Sequence, residues 1–100
     1  MSETIDLNAA AAALENAQDV IDAAIARLAS DGIDENQVVA YDVAHAAAGV
    51  MAARGLLTYG ARGADEAKIT AAFTADVVAD LAAKLYGREA EWGAAPGALD

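Results

Sequence analysis

The stretch from Ile33 to Gly60, IDENQVVAYDVAHAAAGVMAARGLLTYG, constrains this chain most. It reads as a helix with a marked start, a marked stop and apolar residues on two faces. Asp34 stands as an N-cap with Gln37 three residues on, the spacing of a capping box. Ile33 and Val38 flank that cap at the positions of a hydrophobic staple. One stripe is Val38, Tyr41, His45, Ala48, Ala52, Leu56 and Tyr59. The other is Val39, Val43, Ala46, Val50, Ala53 and Leu57. Steps of three and four residues keep each row on one helical face. A helix apolar on two faces requires partners on both. Gly49 and Gly55 each cost about 1 kcal/mol relative to alanine, so they mark places where another helix comes close. Gly60 and Gly63 bracket the turn that follows.

Two more helices flank this one. The first is expected from about Asp6 to Ser30. Leu7, Leu14, Ile21 and Leu28 recur every seven residues, with Ala10, Ala17 and Ala24 between them. Gln18 and Ile25 form the adjoining row. That is a heptad seam, and Glu15, Asp19, Asp22 and Arg27 lie on the opposite face. Asp31-Gly32 ends the helix, since glycine takes a left-handed backbone freely. The third helix is expected from about Asp65 to Tyr86. Asp65 and Glu66 suit its N-terminal dipole and Lys84 its C-terminal end. Its core stripe reads Ile69, Phe73, Val77, Leu81 and Leu85, with Val78 beside it. Gly87 allows a stop, after which REAEW can resume a helix.

Alanine decides how such helices pack. The chain is 57% hydrophobic, but 30 of its 100 residues are alanine. Alanine favours helix and buries little area. Small side chains let helix axes approach toward the short end of roughly 8–10 Å. The loops are short, so successive helices run antiparallel. The predicted fold is therefore all-α: an up-down bundle of three long helices. Its open fourth edge is left for the REAEWG segment, a second copy or a neighbouring domain. Residues 1–93 make the bundle domain, and the GAAPGALD ending, residues 94–100, has linker composition.

A net charge of −10 argues against binding nucleic acid, which takes clustered Lys and Arg. It argues equally against anionic membrane surfaces. With no cysteine, disulfides and thiolate metal sites are excluded. MSETIDLN lacks the basic and apolar regions of a signal peptide. No apolar run approaches the roughly 20 residues of a membrane span, so the expected location is cytoplasmic.

The candidate chemistry is sparse. Asp42 and the only histidine, His45, stand three apart on one helical face. An acidic residue and histidine at that spacing occur in di-iron bundles, which use two such motifs and two further carboxylates. One motif here favours the plainer reading, an internal polar contact between Asp42 and His45. Met51 lies on a different face from His45, which weakens a haem site. Asp76 and Asp80 can form a carboxylate pair for acid–base work, or a solvated flank with Asp80 paired to Lys84. The Asp31-Gly32 region fails the EF-hand spacing, because Ile33 takes its third position. The turn at Gly60 and Gly63 lacks the lysine of a P-loop. Tyr41, Tyr59, Phe73 and Tyr86 read as core and interface aromatics. No catalytic, cofactor-binding or metal residue is assigned; Asp42, His45, Asp76 and Asp80 form the candidate polar cluster.

The strings QVVAYDVAHAAA, AARGLLTYGARG and AAFTADVVADLAAKLYGREAEWG, in that order, carry a resemblance. From about Gln37 to Gly93 the chain resembles a helical region of bacterial acyl-CoA dehydrogenase-like flavoproteins. The likeness is to the N-terminal extension of methylsuccinyl-CoA dehydrogenase-like members. In that family FAD and an acyl-CoA thioester meet in a much larger protein, where a carboxylate base removes the α-proton. No segment here matches the flavin-binding or base regions, so no catalytic residue carries over. The resemblance implies a non-catalytic accessory or oligomerisation domain, or a small subunit, with FAD in a separate module. Its expected partner is a second copy or that larger flavoprotein module. The GALD ending would fit a cut before further sequence. Two rivals remain: a stand-alone bundle binding an apolar or acyl ligand, and a small metal-binding bundle using Asp42 and His45.

Overall fold

The computed structural model describes residues 6–94 and 97–99. Three long helices, α1 (Leu7–Asp31), α2 (Gln37–Gly60) and α3 (Ala64–Leu85), carry nearly all of it, and no strand occurs among the described residues. All three pack on one another. The run is antiparallel. Leu7, at the start of α1, lies beside Gly60 at the end of α2, and Gly60 and Gly49 face Thr70 and Val77 of α3.

The first helix follows its heptad seam. Leu14, Ala17, Ile21, Ala24 and Leu28 are buried, joined by Val20. The Asp6 carboxylate caps the helix, accepting from the backbone N–H groups of Asn8 at 2.9 Å and Ala9 at 3.3 Å. That occupies two of the four N–H groups a helix start leaves unpaired. Gly32, at φ 94°, ends it, and its N–H donates to the Leu28 carbonyl.

The start of α2 departs from expectation. Asp34–Asn36 form a 3-10 turn, so the α-helix begins two residues late, at Gln37. Gln37 is then the first helical residue and not the third, and the capping box does not form. Asn36 instead turns back, its Nδ2 donating to the Gly32 carbonyl at 2.9 Å. Ile33 and Val38 are 59% and 70% exposed, so no staple closes over the cap.

The two stripes of α2 part company. Val39, Val43, Ala46, Val50 and Ala53 are buried, while Val38, Tyr41, His45, Ala48 and Ala52 are exposed. Both neighbouring helices sit on the first row, because three helices enclose only one shared interior. Of the second row only Leu56 and Tyr59 are half-buried, and the Leu56 carbonyl accepts from Thr70 of α3.

The core stripe of α3 is rotated from the expected one. Leu81 and Leu85 are buried and Val77 is half-buried, but the N-terminal half buries Ala67, Thr70 and Thr74. Ile69 and Phe73 turn outward. The cause lies across the interface. A Cβ placed on Gly60 would stand 2.6 Å from Thr70 Oγ1 and 3.3 Å from a Leu7 methyl. Helices that close leave room for threonine and not for isoleucine or phenylalanine. The Thr70 hydroxyl lies 2.9 Å from the Glu66 carbonyl oxygen and 3.1 Å from that of Leu56 in α2, and its one proton serves both.

After Gly87, at φ 74°, the chain does not resume a regular helix but continues in overlapping turns. These carry Trp92 into the interior, where it is the largest fully buried side chain. Gly93, at φ 67°, then passes so near α1 that an added Cβ would meet the Arg27 side chain at 3.2 Å. The described tail residues Ala98 and Leu99 pack half-buried on the core. The REAEWG segment thus fills part of the fourth edge.

Two stability predictions follow from this packing. Trp92→Ala should cost about 3–5 kcal/mol by urea denaturation, the usual range for emptying a buried aromatic site. Trp92→Phe should recover most of that loss, because the Trp92 indole N–H is buried without a partner and its removal restores no lost bond. Gly60→Ala should destabilise by about 1–3 kcal/mol through overpacking. Gly55→Ala, where an added Cβ meets nothing within 4 Å, should stabilise by up to about 1 kcal/mol through helix propensity.

Candidate functional site

The four residues of the candidate polar cluster do not converge. Asp42, half-buried on α2, turns to Arg88 and not to His45. Arg88 Nη1 donates to the Asp42 carboxylate at 3.0 Å, and Arg88 Nε donates to Glu91 at 3.0 Å. Those two hydrogen bonds, Glu91 first and Asp42 second, raise the guanidinium pKa above its ordinary value against a smaller opposing effect of burial. The Arg88 fork ties the segment after α3 to the first turns of α2. It does so with structural chemistry: a permanently charged donor offers no proton at neutral pH.

His45 is exposed, and its ring stacks on Tyr41 at a centroid distance of 6.3 Å and 25° between planes. Asp76 is exposed. Asp80 accepts from Lys84 Nζ at 2.6 Å across one helical turn, the plainer of its two readings. Met51 is 75% exposed. Among the described residues no group of three or more His, Asp and Glu side chains is placed to hold a metal. None of them is long and apolar enough as a helix to cross a membrane.

Three surface features remain. An open cleft of about 730 Å³ at the α1–α2 corner is rimmed by Asp31, Asp34, Glu35, Glu91, Arg27 and Arg88. Its cations are already engaged, Arg27 with Asp31 at 2.9 Å and Arg88 as above. It contains neither a histidine nor a hydroxyl nucleophile. A shallow groove of about 570 Å³ runs between α1 and α3, with Ala9, Ala10 and Ala13 facing Ala71, Ala75 and Val78. Thr74 also lines it, and the Thr74 hydroxyl is buried with no hydrogen-bond partner. The third feature is apolar and exposed. Val38 and Tyr41 near the start of α2 stand 70% and 72% exposed, and Ile69 and Phe73 of α3 are exposed as well.

Sequence reasoning did not single out Arg88 or Trp92. A signal was present: Trp92 is the only tryptophan, and so large an apolar side chain is rarely left in water. Arg88 had no local mark, because its partner lies 46 residues away.

Compared with protein-family models, curated proteins and solved structures, the chain shows no significant match.

The ion pair should behave as structure and not as chemistry. Arg88→Ala and Asp42→Ala should each cost about 1 kcal/mol, with a positive coupling energy in the double-mutant cycle. His45→Ala should leave the unfolding free energy within about 0.5 kcal/mol, as an exposed surface change does. Urea titrations of the five proteins, the parent chain included, check both statements.

Proposed function

We propose that this chain is a non-catalytic helical docking module, an accessory or oligomerisation domain of the kind the acyl-CoA dehydrogenase-like resemblance implies. The observation that supports it is the exposed part of the second stripe of α2, from Val38 to Ala52, together with the exposed Ile69 and Phe73 of α3. Monomeric surfaces seldom expose contiguous apolar patches of several hundred Å² unless they bind something. On this reading any flavin and acyl-CoA chemistry belongs to a separate module, and this chain contributes surface. The scattered positions of Asp42, His45, Asp76 and Asp80 fit a role without catalysis.

Light scattering after size exclusion tests the reading, on the chain alone and mixed with a flavoprotein of the acyl-CoA dehydrogenase class. Association beyond the 10.1 kDa of one chain is the expected result in at least one of the two. A single-chain mass in both, up to about 1 mM, the weak end of specific association, would overturn it.

A second reading rests on the α1–α3 groove. Its alanine walls and the unpartnered Thr74 hydroxyl suit an acyl chain with a polar head. A ligand that binds only the folded chain at 100 times its Kd raises stability by about 2.7 kcal/mol. Thermal melts with fatty acids and acyl-CoAs should therefore shift upward, and Ala75→Leu, which fills the groove, should abolish the shift. Unchanged melting with every such ligand would exclude this second reading.

A further inference from the structure

We infer that residues 86–94 form a latch that lifts off the three-helix bundle as one unit, carrying Trp92 into water while α1, α2 and α3 stay folded. The opening is a property of the fold and needs no partner.

The latch is fastened at few points. Trp92 is its one buried residue; Arg88, Glu89 and Ala94 are half-buried, and the other five are exposed. Its backbone hydrogen bonds close within the segment or on the end of α3. Arg88 donates to the Leu85 carbonyl, Trp92 to that of Arg88 and Ala94 to that of Glu89. Among the described residues no backbone bond of the segment reaches α1 or α2. Its one hydrogen bond to either helix is the side-chain pair from Arg88 to Asp42 at 3.0 Å, with the two side chains 32% and 20% exposed. Undocking therefore breaks one partly solvated ion pair, a weak tie, and leaves the internal turns intact.

Trp92 holds the latch shut and also limits how firmly it holds. Its ring is fully buried, and the apolar area of an indole favours the closed state. The indole N–H, however, is buried without a partner. A donor in that position has given up its bond to water, and undocking restores that bond. The two effects oppose each other within one side chain.

The bundle keeps its own core when the latch lifts. Leu14, Ile21, Val43, Val50 and Leu81 are buried on the three helices, and every pair of helices packs. A segment with one buried side chain opens at lower cost than a core shared by three helices. Gly87 supplies the hinge. It stands between α3 and the latch at φ 74°, and an added Cβ there would meet nothing within 4 Å. The chain can turn at that point without displacing a side chain. Closed, the latch seals the interior; open, it presents an indole and leaves an indole-sized slot behind.

Hydrogen exchange of the indole proton tests this, because the single tryptophan gives one indole N–H signal. Exchange is followed by NMR on the unmodified chain at several urea concentrations and corrected for intrinsic rates. The indole N–H should exchange at least about tenfold faster than the backbone N–H groups of Ile21, Val43 and Val50, as sub-global opening requires. Its rate should rise with urea less steeply than theirs, since the slope follows the surface exposed. Asp42→Ala should speed it about fivefold, the effect of losing one partly exposed ion pair. A smaller rate difference, or a urea slope equal to that of the core groups, would overturn the latch, because Trp92 would then reach water only when the whole chain unfolds. A rate indifferent to urea would overturn it as well, since undocking must expose new surface. An unchanged rate in Asp42→Ala would overturn the place of Arg88 as its fastening.

Discussion

The structure depends on how closely α2 and α3 approach. Gly60 stands where any side chain would strike the Thr70 hydroxyl, and Gly49 lies against Val77. That contact sets the rotation of α3. Once Thr70 and Thr74 occupy the interface, Ile69 and Phe73 have nowhere to go but outward. The Thr70 hydroxyl then reaches a carbonyl of the neighbouring helix, a polar contact that bulkier packing would not permit.

A core made this way is thin, and its closure is left to one residue. Alanines at 17, 24, 46, 53 and 67 bring the helices together but remove little apolar area from water. Trp92 supplies a large share of the missing volume from outside the three helices. The turns after Gly87 deliver it, Arg88 anchors those turns to Asp42, and Gly93 lets them pass over α1. Asp42, a candidate for chemistry by its spacing from His45, is therefore part of the latch on the core, and His45 is not.

The same thinness explains the functional surface. Three helices share one interior, so α2 can bury only one of its apolar rows. The other row, with the outward residues of α3, is the apolar surface that supports a docking role. Nothing comparable gathers around Asp76 or Asp80, each of which meets solvent or a neighbour on its own helix, and His45 lies within the exposed row itself.

Local patterns were legible in the sequence wherever one helix sufficed to state them. The heptad seam of α1, the Asp31-Gly32 stop, the buried Val39–Val43–Val50 row and the Asp80–Lys84 pair all follow from spacing and propensity. The candidate site was less legible. Asp42 lies within reach of His45 by spacing, yet its partner, Arg88, comes from the far side of α3. Which of two apolar rows faces inward, how α3 is rotated, and where the lone tryptophan goes were decided only by tertiary structure. The physical reason is that helical periodicity specifies a face but not its neighbour. The neighbour is chosen by the closest contact the backbones can make, and here a glycine and a threonine on different helices set that contact.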